Sequence, residues 1–268
     1  MNGTLIIGER LNSSIASSRA ILEARDERAL LELAGRQVAA GAVWLDINAS
    51  MLRGAELETI RWAAQAVLDH TPAGVCADSP DEAVLRACAA EFGDRCLLNS
   101  ITAEEETLRS ILPEAAGYGS AVVVMLKTSA GIPPVPGERA ALARRAADIA
   151  DEAGIPPDRL FLDPVLQPIA TGADMQIVLQ TLDLLAGEFP DRHRVGGLSN
   201  VSFGLPMRRL VNRTFLALAV SRGLTAAICD PTDQRLLDVL AAAEALSGLD
   251  PGCRRLLRHY RGRGRTGE

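Results

Sequence analysis

Apolar positions along the chain fall into short unbroken runs that alternate with longer stretches of three-to-four spacing. The runs are TLIIGE (Thr4–Glu9), VWLDIN (Val43–Asn48), AGVCAD (Ala73–Asp78), RCLLNS (Arg95–Ser100), AVVVML (Ala121–Leu126), RLFLDP (Arg159–Pro164), RVGGLSN (Arg194–Asn200) and TAAICD (Thr225–Asp230). Parallel strands covered on both faces read this way. The intervening stretches carry helix punctuation. Asp26 is placed to cap DERALLELAGRQVAAG, which stops at Gly41. Ser79 is placed to cap SPDEAVLRACAAEFG, with Pro80 at its first position and Gly93 at its end. Thr102 and Glu105 have the spacing of a capping box. Further helical patterns begin at Glu138, Ala173, Met207 and Thr232, and the longest irregular piece is TSAGIPPVPG, 128–137.

Eight strand–helix units over about 250 residues predict an α/β fold, a single-domain (β/α)₈ TIM barrel over 1–268, ending in a basic, flexible tail at 254–268. A doubly wound sheet is the second fit, but GERLN after the first strand lacks the G-x-G-x-x-G turn. Aromatics are only 3%, so the core is expected to be Ala, Leu, Ile and Val. A net charge of −6 gives no electrostatic reason to bind nucleic acid. The odd count of five cysteines, Cys76, Cys88, Cys96, Cys229 and Cys253, with no C-x-x-C pair, points to a reducing compartment. With no signal-peptide pattern and no apolar stretch long enough for a bilayer, the expected location is the cytoplasm, away from membranes.

Barrel chemistry sits where the strands end. Those ends carry Glu9, Asn12, Asp46, Asn48, Asp78, Asn99, Lys127, Asp163, Asn200 and Asp230. His70, His193 and His259 fall before strands or in the tail, so they belong to the opposite rim, and nothing resembles a zinc site. Asp46, Asp78 and Asp163 are compatible with magnesium. Interleaved amides suit instead a ligand that both donates and accepts hydrogen bonds, and no metal is expected. Lys127, the only lysine in the sequence, raises the alternative of a Schiff-base aldolase. Taken singly, Asp78 before SPDEA and Asp163 before Pro164 equally suit loop capping. As a set, they match a fused heterocycle such as pterin, whose ring N–H and exocyclic amine one carboxylate accepts together, while Asn99 reads neighbouring ring nitrogens.

The segments LIIGERLN, LDIN, CADS, LLNS, FLDP, GLSNVSFG and LVNRTFLALAVSRGL occur in that order. In that order and spacing the chain resembles the methyltetrahydrofolate:corrinoid protein methyltransferases. These are related to the folate domain of cobalamin-dependent methionine synthase and, more distantly, to dihydropteroate synthase. The resemblance runs from about Thr4 to the last strand. It implies a homodimeric barrel that moves a methyl group between N5 of tetrahydrofolate and a corrinoid (cobalamin) carried by a partner protein. It places pterin contacts at Asp78, Asn99 and Asp163, pocket lining at Gly197, Ser199 and Ile228, an activating amide at Asn200 and a loop arginine at Arg208. The chain departs from relatives at LKTSAGIPPVPG and at VSFGLPMRR, which bears on the outer rim and the choice of partner. N5 is an amine and a poor leaving group, so the enzyme must support positive charge or a proton there. An amide that switches between donor and acceptor suits that task, and Gly196 and Gly197 are expected to leave room for the ring. Dihydropteroate synthase is the alternative, but it calls for a basic end to strand eight, where this chain has CDPTD. A non-catalytic folate-binding protein is the other.

Overall fold

The computed structural model describes residues 3–261. Eight parallel strands close into one barrel in sequence order: β1 (Leu5–Asn12), β2 (Ala42–Asn48), β3 (Gly74–Asp78), β4 (Cys96–Thr102), β5 (Ala121–Met125), β6 (Leu160–Asp163), β7 (His193–Gly197) and β8 (Ala226–Cys229). Around them run α1 (Ala16–Ala24), α2 (Glu27–Ala39), α3 (Glu56–His70), α4 (Glu82–Phe92), α5 (Glu105–Tyr118), α6 (Pro136–Ala153), α7 (Met175–Glu188), α8 (Leu198–Val201), α9 (Arg208–Ser221), α10 (Gln234–Leu246) and α11 (Arg254–Arg261).

Two cores follow from the period-two alternation of the strands. Outward-facing Leu, Ile, Val and Ala pack under the helices. Inward-facing Ile7, Cys76, Leu97, Val123, Phe161, Val195 and Ala226 fill the barrel, with Trp44 and Leu5 packed against them. Trp44 explains Gly74 on the neighbouring strand, because a Cβ there would lie 2.3 Å from the indole. Two residues further along each strand, the same inward faces carry Glu9, Asp78, Asn99 and Asp163. The barrel is therefore plugged by apolar layers below and polar only at its C-terminal mouth.

Arginines finish the opposite rim. Arg95 donates to the carbonyls of Leu68, Thr71 and Ala73 at 2.6–3.1 Å. The buried Arg194 donates to those of Gly223, Phe189 and Arg192 at 2.6–2.8 Å. These groups satisfy carbonyls that helix ends leave unpaired. His193 opens β7 and stacks on Phe161 at 4.4 Å, and His259 pairs with Asp238 at 2.7 Å, so both lie away from the mouth as expected.

Several boundaries differ from the sequence reading. Asp26 does cap α2, accepting from Ala29 N at 3.0 Å. α4 starts later than expected, capped by Asp81 rather than Ser79. Thr102 is the last residue of β4 and α5 begins after Glu104, so no capping box forms. After β1, Ala16–Ala24 fold as α1, a helix for which the sequence reading named no start. Residues 254–261 form α11 against α10, and the rest of the expected flexible tail lies outside the described residues.

Candidate active site

β2, β3 and β4 are in register so that Asn48, Asp78 and Asn99 stand side by side. Asn48 Nδ2 donates to Asp78 Oδ2 at 2.8 Å. Asn99 Nδ2 donates to Asp46 Oδ1 at 3.0 Å, which leaves its carbonyl oxygen as an acceptor. Asp46 is only 2% exposed. Burial and the neighbouring Asp78 charge push its carboxyl well above the usual range, and burial likewise raises Asp78. Both carboxyls are thus displaced toward their neutral forms, which eases the repulsion between two adjacent acids. The sequence showed Asp46 at a strand end, but its partners were set by a register that only the closed barrel reveals.

Asp163 ends β6 on the next arc. Its Oδ1 accepts from Val165 N at 2.7 Å, and among the described residues Oδ2 takes no hydrogen bond. Burial raises this carboxyl to about 6, against the pull of Val165 N–H and Arg139. Arg139, 4% exposed, holds the segment in place, donating to Pro164 O at 2.6 Å and Pro133 O at 2.8 Å. No sequence signal marked Arg139, because its partners are backbone carbonyls of two separate loops.

The third arc departs from expectation. β7 stops at Gly197, and Leu198–Val201 turn into the short helix α8. Leu198 and Val201 are buried three residues apart, which turns Ser199 and Asn200 toward the mouth. Asn200 thus stands on a helical turn rather than at a strand end. It is exposed, and its Nδ2 lies 3.1 Å from where a Gly197 Cβ would be. Gly197 gives clearance to the chain's own amide. Gly196 faces the other way, with Leu166 Cδ1 at 2.8 Å from a Cβ there, so it opens no room for a ligand. Ile228 pairs with Gly197 across to β8 and is 9% exposed.

Ser199 Oγ donates to Glu9 Oε1 at 2.6 Å. Arg208, the first residue of α9, donates to Ser199 O at 2.9 Å and Ser202 Oγ at 3.2 Å, and its guanidinium lies 5.9 Å from the Phe203 ring centre. A cavity of about 670 Å³ opens on this side, lined by Glu9, Ser199, Asn200, Phe203, Arg208 and Asp230 among others. Asp78, Asn99 and Asp163 lie outside that cavity's lining, so the mouth has an acid floor on one side and an open chamber on the other. Lys127 follows β5, half-buried, with its carbonyl accepting from Ala103 N at 3.0 Å. Among the described residues no cluster of metal-binding side chains is present.

A closed parallel barrel with a mouth of carboxylates and amides defines a class: the chain belongs to the pterin-binding enzymes, whose family model matches residues 8–230. Within that class, it is 30% identical over 260 residues to the methylcorrinoid:tetrahydrofolate methyltransferase of Eubacterium limosum, covering 96% of each chain. It is 27% identical over 238 residues to methionine synthase of Mycobacterium tuberculosis, matching 84% of this chain and 20% of that one. The chain therefore spans about a fifth of methionine synthase. Two dihydropteroate synthases have the same fold. That of Xanthomonas albilineans in complex with 7,8-dihydropteroate superposes with a TM-score of 0.69 at 21% identity, covering 91% of this chain and 93% of the other. That of Coxiella burnetii in complex with pteroic acid gives 0.70 at 17%, covering 93% and 95%.

Proposed function

We infer that this chain is a methyltransferase that moves a methyl group between N5 of tetrahydrofolate and a corrinoid carried by a partner protein. The observation that carries the reading is the near full-length similarity to the methylcorrinoid:tetrahydrofolate methyltransferase, combined with a mouth floored by the acids and amides Asp46, Asn48, Asp78, Asn99 and Asp163. The corrinoid cobalt supplies or accepts the methyl group. Everything else falls to this chain's residues.

Asp163 and Asp78 accept the pterin's ring N–H and exocyclic amine, and Asn99 offers its carbonyl oxygen beside them. Each of these side chains is already tied at one end, Asp163 by Val165, Asp78 by Asn48 and Asn99 by Asp46, so the ligand meets preset acceptors. Pterin N–H donors favour the carboxylate over the acid, which opposes the upward pull of burial on these groups. Gly197, Ser199 and Ile228 line the approach, and Arg208 fixes the Ser199 turn. Asn200, with no hydrogen bond from its side chain to the described residues, turns its amide to N5 and follows the change in charge there.

Strand eight ends in an acidic segment, where Asp230 meets Arg10 at 3.4 Å, an arrangement unsuited to a pyrophosphate product. The chain works as a homodimer, supported by exposed Leu184 and Leu218 on the neighbouring helices α7 and α9. A reducing cytoplasm is supported by five unpaired cysteines. Among the described residues no helix is long and apolar enough to cross a membrane.

The test is direct. The protein is mixed with methyltetrahydrofolate and reduced cobalamin, and the spectrum is followed for conversion to methylcobalamin. The mixture is then replaced by a pterin pyrophosphate and p-aminobenzoate. Product in the second assay alone assigns the chain to dihydropteroate synthesis; product in neither leaves a folate-binding protein.

A further inference from the structure

We propose that Glu9 is the proton store of the reaction, a positioning and proton-holding residue that serves the folate N5 through the Ser199 hydroxyl beside Asn200. This rests on the methyltransferase reading. Methyl transfer at N5 needs a proton in one direction and releases one in the other. When the N5–CH₃ bond breaks and the methyl carbon joins the partner's cobalt nucleophile, the bonding pair stays on N5. That pair takes a proton, and the Glu9 O–H bond breaks to leave a carboxylate. In reverse, N5–H gives up its proton as the methyl group arrives, and Glu9 becomes the acid again.

The geometry separates Glu9 from the other acids of the mouth. The chamber that Asn200 lines also contains Asp230 and Asp233. Asp230 is paired with Arg10 at 3.4 Å, and Asp233 is held by Arg213 at 2.7 Å and 3.1 Å, so both already have an arginine partner. Glu9 has no such cation on it. Its hydrogen bond comes from Ser199 Oγ at 2.6 Å, a hydroxyl adjacent to Asn200 and able to pass a proton on. Asp78, Asp46 and Asp163 face the acid floor, outside this chamber.

The electrostatics agree. Burial raises the Glu9 carboxyl to about 7, offset in part by the Ser199 hydrogen bond. The charged and titratable groups facing it are Asp230 and Cys229 from β8, Arg208 from α9, Asp46 from β2, and Arg10 on its own strand. Near neutral pH it therefore exists as both acid and base, which is where a proton-transfer group performs best in both directions.

The test compares wild type with Glu9→Gln and Glu9→Asp. Methyl transfer from methyltetrahydrofolate to free reduced cobalamin is measured from about pH 5.5 to about 8.5, spanning the proposed ionisation. Folate binding is measured by calorimetry in two buffers of different ionisation heat. Glu9→Gln is expected to lower turnover about 100-fold or more, flatten the pH dependence through neutrality, and leave the methyltetrahydrofolate Kd little changed. It is also expected to reduce the buffer-dependent heat near pH 7, the remainder coming from Asp78 and Asp163 as folate binds. Glu9→Asp is expected to keep part of the turnover with its pH limb moved. A Glu9→Gln enzyme with the wild-type pH profile and the wild-type buffer dependence overturns the assignment, as does an unmoved limb in Glu9→Asp should Glu9→Gln not fold. If wild type itself transfers no methyl group, the methyltransferase reading falls, and the calorimetry still decides whether Glu9 exchanges a proton on folate binding.

Discussion

Asn48 and Asn99 each commit an amide nitrogen to a neighbouring carboxylate, whereas Asn200 keeps both ends of its amide for a ligand. That difference supports the proposed role of Asn200 as the reactive amide, with Asn48 as scaffolding and Asn99 left only its carbonyl oxygen for a ligand. Asn200→Ala is expected to lower turnover about 10–1000-fold with little change in folate affinity, measured by steady-state kinetics and calorimetry. Gly197→Ala tests the same point from the other side. Its methyl group would press on Asn200 Nδ2 at 3.1 Å, so turnover should fall while the melting temperature stays near wild type. At Asp163, Asn would turn one acceptor into a donor facing a donor. Folate affinity should drop about 10-fold or more, a cost of 1–3 kcal/mol. Because burial disfavours the Asp163 carboxylate, the same change should leave the ligand-free protein equally or more stable at pH 8, checked by thermal denaturation.

At the scale of elements, the loops after β5 and β6 share one fastener, the Arg139 guanidinium on α6. Arg139→Met removes both carbonyl contacts, and the Pro164 contact is buried. A loss of about 1–3 kcal/mol in stability is expected from urea melts, with weaker folate binding because Asp163 sits beside Pro164. All eight strands were legible in the sequence because buried parallel strands leave unbroken apolar runs. Their ends were less so. Leu198 extended the apolar run of strand seven, and only packing of Leu198 and Val201 on one side reveals the helical turn that carries Asn200. Caps misled where two candidates stood close, as with Ser79 and Asp81. The acids of the floor were visible one by one. The Asp46–Asp78 pairing and the Glu9–Ser199 bond, which spans 190 residues of sequence, depended on barrel closure.

Across the whole molecule, the two ends of the barrel have separate duties: arginine-to-carbonyl bonds close one, and raised acids open the other. The raised acids give a signed pH dependence. Glu9, Asp46, Asp78 and Asp163 hold protons in the folded state that the unfolded chain would already have lost, so folding takes up protons above about pH 4. Their contribution is complete below the ordinary carboxylate range and is lost as pH rises through about 6 for Asp163 and about 7 for Glu9. The melting temperature of the ligand-free protein should therefore fall between about pH 5 and about pH 8. A Glu9→Gln, Asp163→Asn double variant should show a flatter curve in the same calorimetric scan.

Lys127 stands at the head of β5, within the mouth, and it is the only lysine in the sequence. Amine-directed reagents that ordinarily decorate a protein at random will here mark a single side chain, apart from the N-terminus. A dye attached at that point becomes a built-in reporter on the mouth, its emission registering a ligand that enters there, with no engineered cysteine required.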